Sequence, residues 1–115
     1  MNTAGASAAT FLPAVARGSV SAFEAFYDRY ASTVYALLLR ILANADDAQE
    51  VLQETFVKAW TNAKTFDSVR GSEIAWLISI ARSRGIDRLR SRKVRNTRED
   101  EAGREVSIRS SFVDH

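Results

Sequence analysis

Two groups of side chains in this sequence are of the types that do chemistry. Asp46, Asp47, Glu50 and Glu54 place four carboxylates within nine residues, with Gln49 and Gln53 beside them. Paired carboxylates at such spacing serve general acid–base catalysis or hold a hard cation. Further along, Arg82, Arg84, Arg88, Arg90, Arg92, Lys93, Arg95 and Arg98 stand against Asp87 alone, eight charges against one and a local net of +7. A block that dense is the electrostatic footprint of a polyanion contact, although a solvated helix face would show the same charge. The overall net charge of +2 conceals it, because residues 1–81 are net −2 and residues 99–115 net −3.

The remaining inventory narrows the chemistry. Cysteine is absent and the only histidine is His115. Disulfides, thiolate metal sites, cysteine nucleophiles and histidine-based acid–base catalysis therefore have nothing to build on. Nucleotide-cradling glycine motifs and the H-E-x-x-H zinc motif are missing too. With no second carboxylate-bearing helix evident, an acid–base or metal role for the four carboxylates is disfavoured against an ordinary solvated face. No metal and no cofactor are implied.

The elements that must position these groups are helical. Phe23, Phe26, Tyr27, Tyr30, Val34, Leu37, Leu38 and Ile41 recur at i, i+3, i+4, i+7 spacing. They predict a first long helix over about 21–43, with Ser21 as N-cap and Glu24 completing a capping box. Asn44 stands where its C-cap would be, and Asp46 can cap the next helix. That second helix, about 46–63, gathers Val51, Leu52, Thr55, Phe56, Ala59 and Trp60 on its buried half and the carboxylates on the other. A loop from Lys64 to Gly71 follows, and Ser72 caps a third helix over about 72–94 that packs Trp76, Leu77, Ile80, Ala81 and Leu89. Tyr27, Tyr30 and Tyr35 are assigned to core or helix–helix contacts.

The expected organisation is an all-α, compact bundle of three principal helices. Residues 1–20 form an N-terminal segment with a short helix around Thr10–Arg17 closed by Gly18. Residues 21–95 make the helical domain, and the polar residues 96–115 a mobile linker or tail. No apolar run approaches the roughly 18 residues of a membrane span, so no membrane insertion is expected. The first twenty residues carry no basic stretch ahead of an apolar core, so no signal peptide is expected, and with no cysteine a cytoplasmic setting is expected.

The string Asp46-Asp-Ala-Gln-Glu-Val-Leu-Gln-Glu-Thr-Phe-Val-Lys-Ala-Trp60 resembles region 2.2 of bacterial sigma factors of the extracytoplasmic-function (ECF) group. The resemblance continues in order on both sides. Phe23-Glu-Ala-Phe-Tyr-Asp-Arg-Tyr30 with Val34-Tyr35 is similar to region 2.1. Phe66-Asp67, Arg70-Gly71-Ser72, Ala75-Trp76-Leu77, Ile80-Ala81-Arg82 and Asp87-Arg88-Leu89-Arg90 are similar to regions 2.3 and 2.4. It covers the chain from Phe23 to about Lys93.

The resemblance implies a transcription initiation domain and no enzyme. In the family, region 2.2 docks on the clamp helices of the largest subunit of core RNA polymerase, which here implies Glu50, Gln53 and Glu54, with Asp47 and Leu52 as neighbours. An acidic and amide face suits a basic coiled coil. The family's loop between the second and third helices captures a flipped base of the promoter −10 element on the non-template strand. That loop is Asn62 to Ser72 here, so Asn62, Lys64, Phe66, Asp67, Arg70, Gly71 and Ser72 are the implied DNA contacts. Capture of an unstacked base favours the melted promoter without a catalytic group. Trp76 is assigned first to the core, and Phe66 is left open between core and stacking. Arg82, Arg84, Arg88, Arg90, Arg92 and Lys93 match region 2.4, where they would neutralise phosphates. Arg88 could instead pair with Asp87 on the helix surface. An anti-sigma factor is a further implied partner.

Three departures stand out. Glu73 and Ile74 occupy positions where many relatives carry an aromatic or basic residue, and an acid beside DNA puts local contacts in question. Ser83 replaces a frequent Asn. The chain stops in what resembles the linker before region 4, so the expectation is the N-terminal domain of a longer protein, or a product without −35 reading. Two other readings stay open: a duplex-binding helical transcription regulator using its basic helix in the major groove, and a protein-interaction helical bundle.

Overall fold

The computed structural model describes residues 10–106, which form four α-helices and one 3-10 turn. Helix α1, Leu12–Ala16, has Pro13 in its first turn, where a missing N–H costs nothing. Gly18 closes it with φ 96°, a left-handed conformation natural to glycine. Helix α2 spans Val20–Leu42, and its N-cap is Ser19, whose Oγ accepts the Ala22 N–H at 3.1 Å. The expected cap, Ser21, lies inside the first turn. A cap needs an extended backbone, and it is Ser19 that has it, at φ −74° and ψ 110°.

The junction after α2 also differs from expectation. Ala43, not Asn44, takes the left-handed closing position, at φ 51°, and its N–H reaches Leu39 O at 2.8 Å. Asn44 instead opens helix α3, Ala45–Asn62, by accepting the Asp47 N–H at 2.9 Å. Asp46 and Asp47 thereby fall in the first turn of α3, where the helix dipole favours negative charge. A 3-10 turn, Ala63–Thr65, leads into the loop. Helix α4, Glu73–Val106, follows, with Ser72 Oγ accepting the Ala75 N–H at 3.1 Å as expected of its cap.

At 34 residues α4 runs past its expected end near 94. The stretch expected as a linker from 96 is helical through Val106, and side chains from Lys93 to Asp100 are exposed. No glycine or proline interrupts it before Gly103, and charged residues with long side chains favour helix even without a packing partner. The remainder of the expected tail, 107–115, and residues 1–9 lie outside the described residues.

Helices α2, α3 and α4 pack on one another pairwise, with α1 against α2 and the 3-10 turn. Phe26, Val34, Leu38 and Leu42 of α2 meet Val51, Leu52, Phe56 and Ala59 of α3 and Leu77 and Ala81 of α4 in one buried cluster. Phe26 and Phe56 meet edge to face at 5.7 Å. Gly85 lets α4 approach α2 closely, since a Cβ there would stand 3.0 Å from a Leu38 methyl and 3.3 Å from one of Ile41. Leu52, expected on the buried half of its helix and as a neighbour of the docking residues, is only 4% exposed and belongs to the core. Trp60, expected in the same buried half, departs from it, being 37% exposed and edge-on against Phe23.

Candidate functional site

Three of the four carboxylates singled out on α3 are engaged by arginines of α4. Arg88 Nη1 donates to Asp47 Oδ1 at 3.1 Å and to Glu50 Oε1 at 3.0 Å, and its Nη2 to Glu54 Oε2 at 3.0 Å. Arg92 donates to Asp47 Oδ2 at 2.6 Å and to the Leu42 carbonyl at 2.9 Å. This last contact satisfies a carbonyl left free at the C-terminus of α2. Three carboxylates and two guanidinium groups, joined in four ion pairs, thus lock α4 onto α3 and the α2 end. The Arg92 hydrogen bond holds the Asp47 carboxyl below its ordinary pKa, against the opposing pull of burial, and the charges of Arg92 and Arg88 reinforce it. At Arg88 partial burial opposes the charge, but its bond to Glu50 and the fields of Glu54 and Glu50 outweigh that and raise its pKa.

Arg88 and Arg92, expected among the phosphate contacts, are therefore turned toward α3, and the partners of Arg88 lie across the bundle and not at the neighbouring Asp87. Gln53 sits apart from this network. Its Nε2 lies 3.4 Å from Tyr27 Oη on the α2 side. With Val57 and Trp60, one turn and two turns on, it makes an exposed amide and apolar strip along α3; Val57 is 61% exposed.

The loop between α3 and α4 builds a pocket. Asp67 Oδ1 accepts the Val69 N–H at 3.0 Å, and its carbonyl accepts the Arg70 N–H at 2.9 Å, which folds 67–70 into a tight turn. Gly71 then takes φ 155°, a value few side-chain-bearing residues adopt. The turn encloses about 320 Å³ against the first turns of α4, with Phe66, Asp67, Arg70, Gly71, Ser72, Trp76 and Ser79 in its lining. Phe66 and Trp76 stack edge to face at 5.7 Å. Both are half-buried against the core and both line the pocket, so core and pocket are the same aromatic pair seen from two sides. Of the expected loop residues, Asn62 and Lys64 lie outside the lining.

Beside it runs a second groove of about 340 Å³, lined by Lys58, Ser79, Ile80, Ser83, Arg84 and Asp87. Ser79 belongs to both, so the two adjoin. Arg84 Nε is buried there without a hydrogen-bond partner. Arg82, Arg90 and Lys93 are exposed. Sequence reasoning did not single out Lys58 or Ser79. Lys58 follows Glu54 by one helical turn and was the one cation on a helix read for its acids.

Glu73, expected as an acid beside DNA, is turned inward: it is 3% exposed, and its two oxygens accept the Phe11 and Leu12 N–H groups, each at 2.9 Å.

The Sigma-70 region 2 family matches residues 26–95. The ECF RNA polymerase sigma factor SigK of Mycobacterium tuberculosis is 41% identical over 85 residues, which is 74% of this chain and 46% of that protein. Proteins of the same name from Mycobacterium ulcerans and Mycolicibacterium vanbaalenii are 37% identical over 89 residues, 77% of this chain and 48% and 45% of theirs. The chain spans about half the length of these curated relatives. It belongs to the sigma-70 region 2 family, in the ECF group.

Proposed function

We propose that this chain is the part of an ECF sigma factor that docks on core RNA polymerase and holds the non-template strand of the promoter −10 element, one unstacked base at a time, in the loop pocket. The observation that carries this reading is the pocket itself: an aromatic pair and a glycine turn around about 320 Å³, adjoining a groove with Lys58 and Arg84. Glycine lets backbone approach a base closely, and an aromatic face offers stacking worth about 1–3 kcal/mol per base. That energy is gained only when the base has left the duplex, so binding shifts the equilibrium toward the open promoter. Lys58, Lys64, Arg70, Arg82, Arg84, Arg90 and Lys93 would hold phosphates, and no catalytic group is required; bond formation belongs to polymerase.

Docking on the polymerase clamp helices is assigned to Gln53 and Glu54, extended by Val57 and Trp60. Glu50 and Glu54 remain substantially exposed at their outer edges, with side chains 66% and 45% accessible, so each can meet a basic partner while keeping Arg88. Asp47 and Leu52 support this face from within. An anti-sigma partner, expected from the family resemblance, would act by covering the same strip. The setting is the cytoplasm, where polymerase and promoter DNA are; among the described residues no helix is long and apolar enough to cross a membrane.

Fluorescence anisotropy with a labelled −10 single strand tests the base-capture half. The chain should bind the intact strand about tenfold more tightly than one with a single abasic site at the captured position, the stacking energy of one base. Phe66→Ala should abolish that preference while its circular dichroism stays helical. Equal affinity for intact and abasic strands would refute base capture, and a preference for duplex would favour the major-groove regulator.

A further inference from the structure

Helix α1 stands ahead of the segment matched by the family, which begins at residue 26. It nonetheless touches both stems of the pocket loop. On one side it packs against the 3-10 turn Ala63–Thr65, which runs directly into Phe66. On the other, the Glu73 carboxylate, immediately after Gly71 and Ser72, accepts the N–H groups of Phe11 and Leu12. Leu12 is fully buried, and the Phe11 ring lies edge-on to Phe26 at 6.1 Å and to Tyr30 at 6.4 Å. A charged acceptor with both oxygens engaged and almost no water contact is a strong and directional tie. It fastens the C-terminal end of the loop to an element that is itself anchored in the aromatic core.

We propose that Glu73 is a positioning residue of the pocket: by stapling α1 to the start of α4 it fixes the backbone of Gly71 and Ser72, and through them sets the affinity for an unstacked base. The base-capture part rests on the reading above; the staple does not. Gly71 in particular needs such support, because glycine has more backbone freedom to lose than any other residue, and its neighbours Val69 and Arg70 are exposed. Anchoring both stems leaves only the short turn at 67–70 to hold its own shape.

The test compares native chain, Glu73→Gln and Glu73→Ala by two readouts. The first is backbone 15N relaxation without DNA. In the native chain Gly71 and Ser72 should show order parameters near about 0.85, and in Glu73→Ala they should fall toward roughly 0.6, together with those of Phe11 and Leu12. Glu73→Gln keeps one acceptor and the same volume, so it should fall between the two. The second is the ratio of affinities for intact and abasic −10 strands. Loss of the staple should shrink that ratio by about tenfold in Glu73→Ala, one decade for 1.4 kcal/mol of lost preorganisation, while abasic-strand binding stays unchanged. If Gly71 and Ser72 keep native order in both variants, the staple does not position the loop and the proposal is overturned. If they loosen and the ratio stays, Glu73 orders the loop without tuning capture, and the affinity claim is overturned. If even the native chain shows no preference for the intact strand, base capture itself fails, while the relaxation result still decides the staple. Should Glu73→Ala not fold, Glu73→Gln carries the same comparison.

Discussion

Asp47 accepts from two guanidinium groups that arrive from a helix more than forty positions away, Arg88 and Arg92. Its carboxyl is held below the ordinary value, so the folded state prefers the ionised form more than the unfolded chain does. The stability this contributes is fully present above the unfolded pKa of about 3.9 and is lost as pH falls through the lower folded value. The native chain should therefore lose melting temperature as pH falls below about 4, and Asp47→Asn should be less stable at pH 7 yet show a shallower loss over the same range. Parallel pH dependences for the two would show that the pair is not coupled to folding. A second single-residue effect is found at Ala43, whose φ of 51° is costly for a residue with a Cβ. Ala43→Gly should stabilise by about 0.5–1 kcal/mol in denaturant titration, since glycine is the preferred residue at that helix end.

At the scale of elements, the contact between α2 and α4 depends on Gly85. A larger side chain would be driven into Leu38 and Ile41, whose positions are set by the core. Gly85→Val should destabilise by about 1–3 kcal/mol through overpacking, read as a lower urea midpoint at unchanged slope. The existence and order of the helices were legible in the sequence because apolar residues at 3.6-residue spacing leave no other face to bury. Their ends were less so. Ser19 and Ser21 are both competent caps, as are Asn44 and Asp46, and only the backbone conformation chooses between them. A helical wheel gives the face a residue occupies but not the partner it meets. That is why the acids of α3 and the Arg88–Arg92 pair of α4, read as two separate surfaces, prove to be one interhelical joint.

Across the whole molecule, the joint divides the charge. Arg88 and Arg92 are spent on holding α3 and α4 together, so the proposed phosphate contacts fall to Lys58, Lys64, Arg70, Arg82, Arg84, Arg90 and Lys93. The loop residues Phe66, Arg70, Gly71 and Ser72 were legible as a unit because they lie in one contiguous segment with a recognisable family pattern. Lys58, Ser79 and Glu73 were not, because the pocket's neighbouring groove and its staple are assembled from different helices, and an inward-turned acid carries no sequence signature. Along α3 the Gln53, Val57 and Trp60 strip is exposed, with Glu54 of the joint at its edge.

Docking on polymerase is the central proposal, and co-elution with core RNA polymerase tests it most directly. The native chain should co-elute in size-exclusion chromatography. Gln53→Ala/Glu54→Ala, still helical by circular dichroism, should bind at least about tenfold more weakly, as expected when a central polar contact worth 1.4 kcal/mol or more is removed. A native chain that elutes apart from core polymerase, or a double variant that binds as well as the native chain, would contradict the account.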